Sequence, residues 1–121
     1  MIITRTPFRV TLGGGGTALP SYYSKYGGFI FSAGLDKYMY INVNHPPVDD
    51  LIRVKYSVSE TVERVNDVKH DIAREILRFT GIEKSIEVTS IADLPAQSGL
   101  GSSSCYAVGM LHAIHALKRE Y

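Results

Sequence analysis

The stretch DLPAQSGLGSSSCYAVGMLHAIHALKR, residues 93–119, sets a proline, two glycines and three consecutive serines directly ahead of an apolar run at helical spacing. An α-helix leaves its first four amide N–H groups without an intrahelical acceptor, and its dipole puts partial positive charge at that end. Pro95 ends the preceding strand, Gly99 and Gly101 permit positive φ and close backbone approach, and Ser102, Ser103 and Ser104 occupy the first turn. Such a mouth suits a di- or triphosphate, and a serine hydroxyl within it can ligate the Mg2+ that accompanies one. The other reading is an ordinary capped helix behind a flexible loop.

The rest of the chain predicts the scaffold for that loop. Residues 2–12 (IITRTPFRVTL) are β-branched and aromatic, so they read as a strand with Pro7 at a sheet edge or bulge, running into the glycines at 13–16. GFIFSAGL and KYMYINVN predict a hairpin turning near 34–37, with Asp36 and Lys37 in the turn. Met39, Ile41 and Val43 then share one face, and Tyr38, Tyr40 and Asn42 the other. HPPVDD at 45–50 is a loop. After it Ile52, Val54 and Tyr56 alternate with a wet face of Arg53 and Lys55.

Between 67 and 81, Val68, Ile72, Ile76 and Phe79 fall at helical spacing, with Asn66 or Asp67 as N-cap and Gly81 as the stop. SIEVTSI reads as a strand with Ile86 and Val88 facing inward. From Ser103 onward, Ala107, Met110, Leu111, Ile114 and Leu117 form an amphipathic stripe, and Lys118 and Arg119 suit the C-terminal end of the dipole. The expected fold class is α+β: two layers, a mostly antiparallel sheet with helices on one face.

Composition limits what this domain can do. At 121 residues with 45% hydrophobic and 21% charged, there is material for one modest core, hence one domain over 1–121. The 13 basic residues nearly cancel the 12 acidic ones, which argues against a broad surface for nucleic acid or anionic membrane; any anion site must be local. The single cysteine, Cys105, excludes an intramolecular disulfide, and with no leader or long apolar span in view a cytoplasmic setting is expected.

Two common nucleotide motifs fail. Gly13, Gly15 and Ala18 satisfy G-x-G-x-x-A after a strand, but Leu19-Pro20 interrupts the helix which that fingerprint needs at its second glycine. Neither glycine loop holds the G-K-S or G-K-T of a Walker A sequence. His112 and His115 lie three apart on a helix without an obvious third metal ligand. Cys105 reads as a packing residue. Tyr22, Tyr23 and Tyr26 either stack on a sugar or cover the sheet edge.

P-x-x-S-G-L-G-S-S-S before an apolar helix resembles the ATP-phosphate loop of the GHMP kinases, and PFRVTLGGGGTALPSYY at residues 7–23 resembles their first motif. The glycine run followed by L-P-S-Y-Y and a glycine pair is most similar to the D-glycero-D-manno-heptose 7-phosphate kinases. The resemblance spans nearly the whole chain and implies the N-terminal domain of such an enzyme (the ribosomal protein S5 domain 2-like fold), without the C-terminal domain that family members carry. It implies transfer of the ATP γ-phosphoryl group to O1 of the heptose. Pro95, Ser98, Gly99, Leu100, Gly101, Ser102, Ser103 and Ser104 would hold the nucleotide, with Ser103 and then Ser102 as the Mg2+ hydroxyl. Arg9 would be the catalytic cation. Gly15, Gly16, Thr17 and Tyr22 would meet the sugar.

Two departures from the pattern carry consequences. Ala18 stands where related sugar kinases have an aspartate that accepts hydrogen bonds from sugar hydroxyls, a loss on the order of 2 kcal/mol or more per unpaired group. The missing second domain predicts weak activity at most, and exposed apolar surface that favours a homodimer. The competing functions are therefore a catalytically dead nucleotide-binding or regulatory module, and a fucose- or galactose-type kinase fragment.

Overall fold

A computed structural model of the chain describes residues 1–119. Its centre is a mixed five-stranded sheet in the order β1-β2-β5-β3-β4. The strands are β1 (Ile2–Gly13), β2 (Phe31–Asn44), β3 (Ile52–Lys55), β4 (Ser59–Val62) and β5 (Ile86–Ala92). Among the described residues three pairings are antiparallel and β3 with β5 is parallel, as a mostly antiparallel α+β domain requires.

Alternation decides which face is covered. Met39, Ile41 and Val43 of β2, Ile52 and Val54 of β3, and Ile86 and Val88 of β5 are all buried. The register puts Val43 beside Val88 and Ile52 beside Ile86, so these side chains form one apolar layer. Helices α2 (Asp71–Phe79) and α3 (Ser102–Lys118) lie against it through Ala73, Ile76 and Leu77, and through Cys105, Tyr106, Met110, Ala113 and Ile114. A fully buried side chain such as Ile41 or Met110 contributes roughly 1.5–3 kcal/mol.

Gly109 lets α3 approach closely. A Cβ there would stand 3.0 Å from both Ile41 Cγ1 and Thr6 Oγ1. The Thr4 hydroxyl donates to the Gly109 carbonyl at 2.8 Å, fixing the helix over β1 and β2. This contact sets where the N-terminus of α3 opens.

Several expectations are corrected. There is no hairpin at 34–37: β2 runs unbroken through Asp36 and Lys37, and its antiparallel neighbours are β1 and β5. Tyr38 pairs with Pro7 and Gly34 with Arg9, so residues 35–37 of β2 are the extra residues opposite Phe8, and Pro7 of the edge strand β1 sits beside that bulge. The N-cap of α2 is His70, whose Nδ1 accepts from the Ala73 amide at 3.2 Å; Asn66 and Asp67 lie in a preceding 3₁₀ turn. Phe79 is 80% exposed, the buried stripe being Ala73, Ile76 and Leu77. Leu19-Pro20 does not simply interrupt: Pro20 is the first residue of α1 (Pro20–Tyr26), where its missing N–H costs nothing. Strand β4 was not anticipated, because SETV lacks an apolar alternation.

Candidate functional site

Helix α3 opens as the sequence predicts. Its N-cap is Gly101, at φ 80°, and no side chain caps it. The first helical bond runs from the Cys105 amide to the Gly101 carbonyl at 2.9 Å, which leaves the amides of Ser102, Ser103 and Ser104 ahead of the ladder. Gln97 and Gly99 also take positive φ, so the loop from Pro95 through Ser98 winds tightly before Leu100 packs back on the core.

Arg9 meets this loop directly. Its main-chain N–H donates to the Leu100 carbonyl at 3.2 Å, and its Cγ lies 3.3 Å from where a Gly101 Cβ would be. The positive φ of Gly101 favours glycine there, and its bare Cα faces the Arg9 side chain. Arg9 Nη1 donates to the Thr11 hydroxyl, and the Thr11 methyl in turn lies 3.4 Å from where a Gly15 Cβ would be. The two glycine motifs are thus joined through the end of β1.

Beside the serines opens a cleft of about 330 Å³. Ser102 and Ser103 line it, together with Tyr106, His70, Tyr56 and Met39, which supply aromatic and apolar walls. Ser104 is not among its lining residues. The His70 ring stacks on Tyr106 at 4.5 Å between centroids and meets Tyr56 edge-on at 4.7 Å. Glu60, buried on β4, holds this wall: it accepts from the Tyr56 hydroxyl at 2.6 Å and from the Lys69 and His70 amides at 2.7 and 3.2 Å. Burial opposes the Glu60 charge, but those donors outweigh it and hold the carboxyl below its ordinary range. Burial pushes the Tyr106 phenol up, and its hydroxyl has no hydrogen-bond partner among the described residues.

The remaining predicted residues lie on an arm formed by the end of β1, a 3₁₀ turn at Gly15–Ala18 and α1. Gly14, at φ 79°, would place a Cβ 1.9 Å from the Phe29 carbonyl, so only glycine passes there. Thr17 pins the turn: its hydroxyl donates to the Gly14 carbonyl at 2.7 Å and accepts from the Phe29 amide at 3.0 Å. Gly15, Gly16 and Tyr22 are exposed, Tyr22 packing on Tyr26 at 5.2 Å. Thr17, Ala18 and Tyr23 border an open hollow with no acidic lining residue. No hydrogen bond among the described residues joins Thr17 or Tyr22 to the serine loop; the link runs through Arg9 and Thr11.

Cys105 packs as expected, its Sγ donating to the Pro7 carbonyl at 3.1 Å, and burial pushes its thiol up. No group of three metal-ligating side chains forms among the described residues. Sequence reading missed Tyr56, His70 and Tyr106: Tyr56 continues a strand alternation and Tyr106 lies within an apolar helix, where a core role is the ordinary one, His70 caps α2, and only the fold brings them to one cleft.

Comparison with known proteins points the same way. Residues 61–120 match the GHMP kinases N terminal domain. A D-glycero-alpha-D-manno-heptose 7-phosphate kinase of Campylobacter jejuni is 32% identical over 123 residues, covering 93% of this chain and 36% of the relative. The crystal structure of a D-glycero-D-manno-heptose 1-phosphate kinase from Bacteroides thetaiotaomicron superposes with a TM-score of 0.81 at 25% identity, over 98% of this chain and 42% of that one. A Streptococcus pneumoniae phosphomevalonate kinase, solved with phosphomevalonate and AMPPNP, superposes at 0.72 over 100% of this chain and 38% of its own; at 17% identity that likeness speaks for the fold alone. The chain spans well under half the length of these relatives.

Proposed function

The chain belongs to the GHMP kinase family, and from that premise we propose that it forms the nucleotide-holding part of a sugar kinase acting on a heptose phosphate. The reaction is transfer of a phosphoryl group from Mg-ATP to a sugar hydroxyl, with O1 of D-glycero-D-manno-heptose 7-phosphate as the acceptor. The observation that carries this reading is the uncapped start of α3 beside the Arg9 guanidinium, opening onto a cleft lined by Ser102 and Ser103 and by the aromatic rings of Tyr56, His70 and Tyr106.

A nucleotide fits that polarity. The amides of Ser102, Ser103 and Ser104 and the positive end of α3 suit the phosphates. The Ser103 hydroxyl, with Ser102 beside it, is a hard oxygen donor of the type Mg2+ prefers. The Tyr106, His70 and Tyr56 wall offers a π surface for a base. Bound Mg2+ would neutralise phosphate charge, and Arg9 adds a fixed cation in the same region. Thr17 and the glycine turn support the sugar side by keeping the arm in one shape.

A second reading has its own support. Ala18 borders a hollow without a carboxylate, so a module that holds nucleotide but has lost transfer is the alternative. The deciding experiment incubates the chain with Mg-ATP and heptose 7-phosphate and follows ADP and sugar bisphosphate. Bisphosphate supports the kinase; nucleotide binding with no product supports the module; neither binding nor product removes both.

A further inference from the structure

We infer that Asp93 is a positioning residue for the phosphate loop, its carboxylate ending β5 and fixing the angle at which residues 94–101 leave the sheet; this rests on reading that loop as a nucleotide site. The β2–β5 ladder closes with Met39 opposite Ala92. At the next step the Asp93 amide donates to the Tyr38 carbonyl at 2.9 Å, as an antiparallel pair should. The reciprocal bond is altered. The Tyr38 amide donates at 2.8 Å to Asp93 Oδ2, where a continued ladder would use the Asp93 main-chain carbonyl.

The consequence is geometric. With a side-chain oxygen satisfying Tyr38, the main chain at Asp93 is released to turn from the sheet toward α3. Tyr38 is itself held, its ring lying 4.3 Å beneath the Arg5 guanidinium. At the far end the loop is clasped by the Arg9 amide on the Leu100 carbonyl, and Leu94 and Leu100 pack against the core just inside the two clasps. Between them Gln97 and Gly99 run at positive φ and residues 95–99 are exposed to solvent, so the path relies on its two ends.

Asp93 is exposed, and none of the ion pairs among the described residues includes it. Its carboxylate serves one backbone donor. A loop ordered before its ligand arrives binds more tightly because less freedom is lost on binding.

The test compares wild type, Asp93→Ala and Asp93→Asn in two measurements: titration with Mg-AMPPNP, and amide hydrogen exchange of residues 94–102 without ligand. Asp93→Ala is expected to weaken nucleotide binding about tenfold and to speed exchange through the loop, with little change in melting temperature. Asp93→Asn keeps an oxygen acceptor and is expected to restore most of both. Wild-type exchange in Asp93→Ala overturns the inference, as does an Asp93→Asn protein as impaired as the alanine variant. Should wild type bind no nucleotide, the phosphate reading falls, and the exchange data alone decide whether Asp93 sets the loop.

Discussion

The main-chain amide of Arg9 donates to the Leu100 carbonyl at 3.2 Å, which ties the first strand of the sheet to the loop that opens the last helix. The bond is independent of the Arg9 side chain, so the two roles of this residue can be separated. Arg9→Ala is expected to keep the fold and lose about tenfold in affinity for Mg-AMPPNP, with Arg9→Lys falling between. Calorimetry on the three proteins checks this; equal affinities would remove Arg9 from the site.

Gly109→Ala separates helix propensity from packing. Alanine favours an isolated helix by about 1 kcal/mol, yet here the added Cβ meets Ile41 and Thr6 at 3.0 Å. Ile41 is fully buried and Thr6 half-buried beneath the helix, so overpacking wins. A net loss of about 1–2 kcal/mol in urea unfolding is expected. A stabilised variant would mean that α3 can move off the sheet.

How much of this was legible beforehand depends on the range of the interactions. The alternation of Met39, Ile41 and Val43 encodes a half-buried strand locally, and the glycines before three serines encode a helix start with Ser102, Ser103 and Ser104 in its first turn; both appear as read, while the local pattern leaves open whether a side chain caps that start. The turn at 34–37 failed because a long strand and a hairpin share the same alternation, and only pairing with β1 on both sides of residues 35–37 distinguishes them. Phe79 looked like core because it lies three residues after Ile76, but the face of α2 that meets α3 is set by Ala73 and Leu77. The aromatic wall was invisible for a related reason: Tyr56 and His70 come together through Glu60, a buried acid that no local pattern announces.

His70 gives the fold a pH dependence. Burial holds its imidazole below the ordinary value of 6.5, against the pull of the Glu60 and Asp71 carboxylates. Its Nδ1 accepts the Ala73 amide, so a proton on that nitrogen breaks the cap. The unfolded chain then takes up the proton at a higher pH than the folded one. Stability is complete above about pH 6.5 and falls as pH drops through the interval below it. Glu60, whose folded pKa is depressed, adds a further loss at lower pH. Unfolding measured from about pH 7.5 down to about pH 5.5 should show the decline, and His70→Asn, which keeps a capping side chain, should flatten it.

The arm predicts self-association. Tyr26 and Phe29 are 74% and 76% exposed, and Leu12, Leu19 and Phe31 are exposed near them in a stretch with Lys25 as its one charge. An apolar patch beyond a few hundred Å² is roughly the limit for a monomer. Light scattering at high concentration should report dimers, reduced in a Tyr26→Ser, Phe29→Ser protein. A monomer at every concentration contradicts the prediction.

The most direct measurement is titration of Mg-AMPPNP into the chain by calorimetry, repeated with Ser103→Ala and without Mg2+. The account predicts saturable binding of one nucleotide per chain, weakened when Mg2+ is withdrawn, with Ser103→Ala less sensitive to that withdrawal. An absence of heat from wild type with Mg2+ present would contradict it.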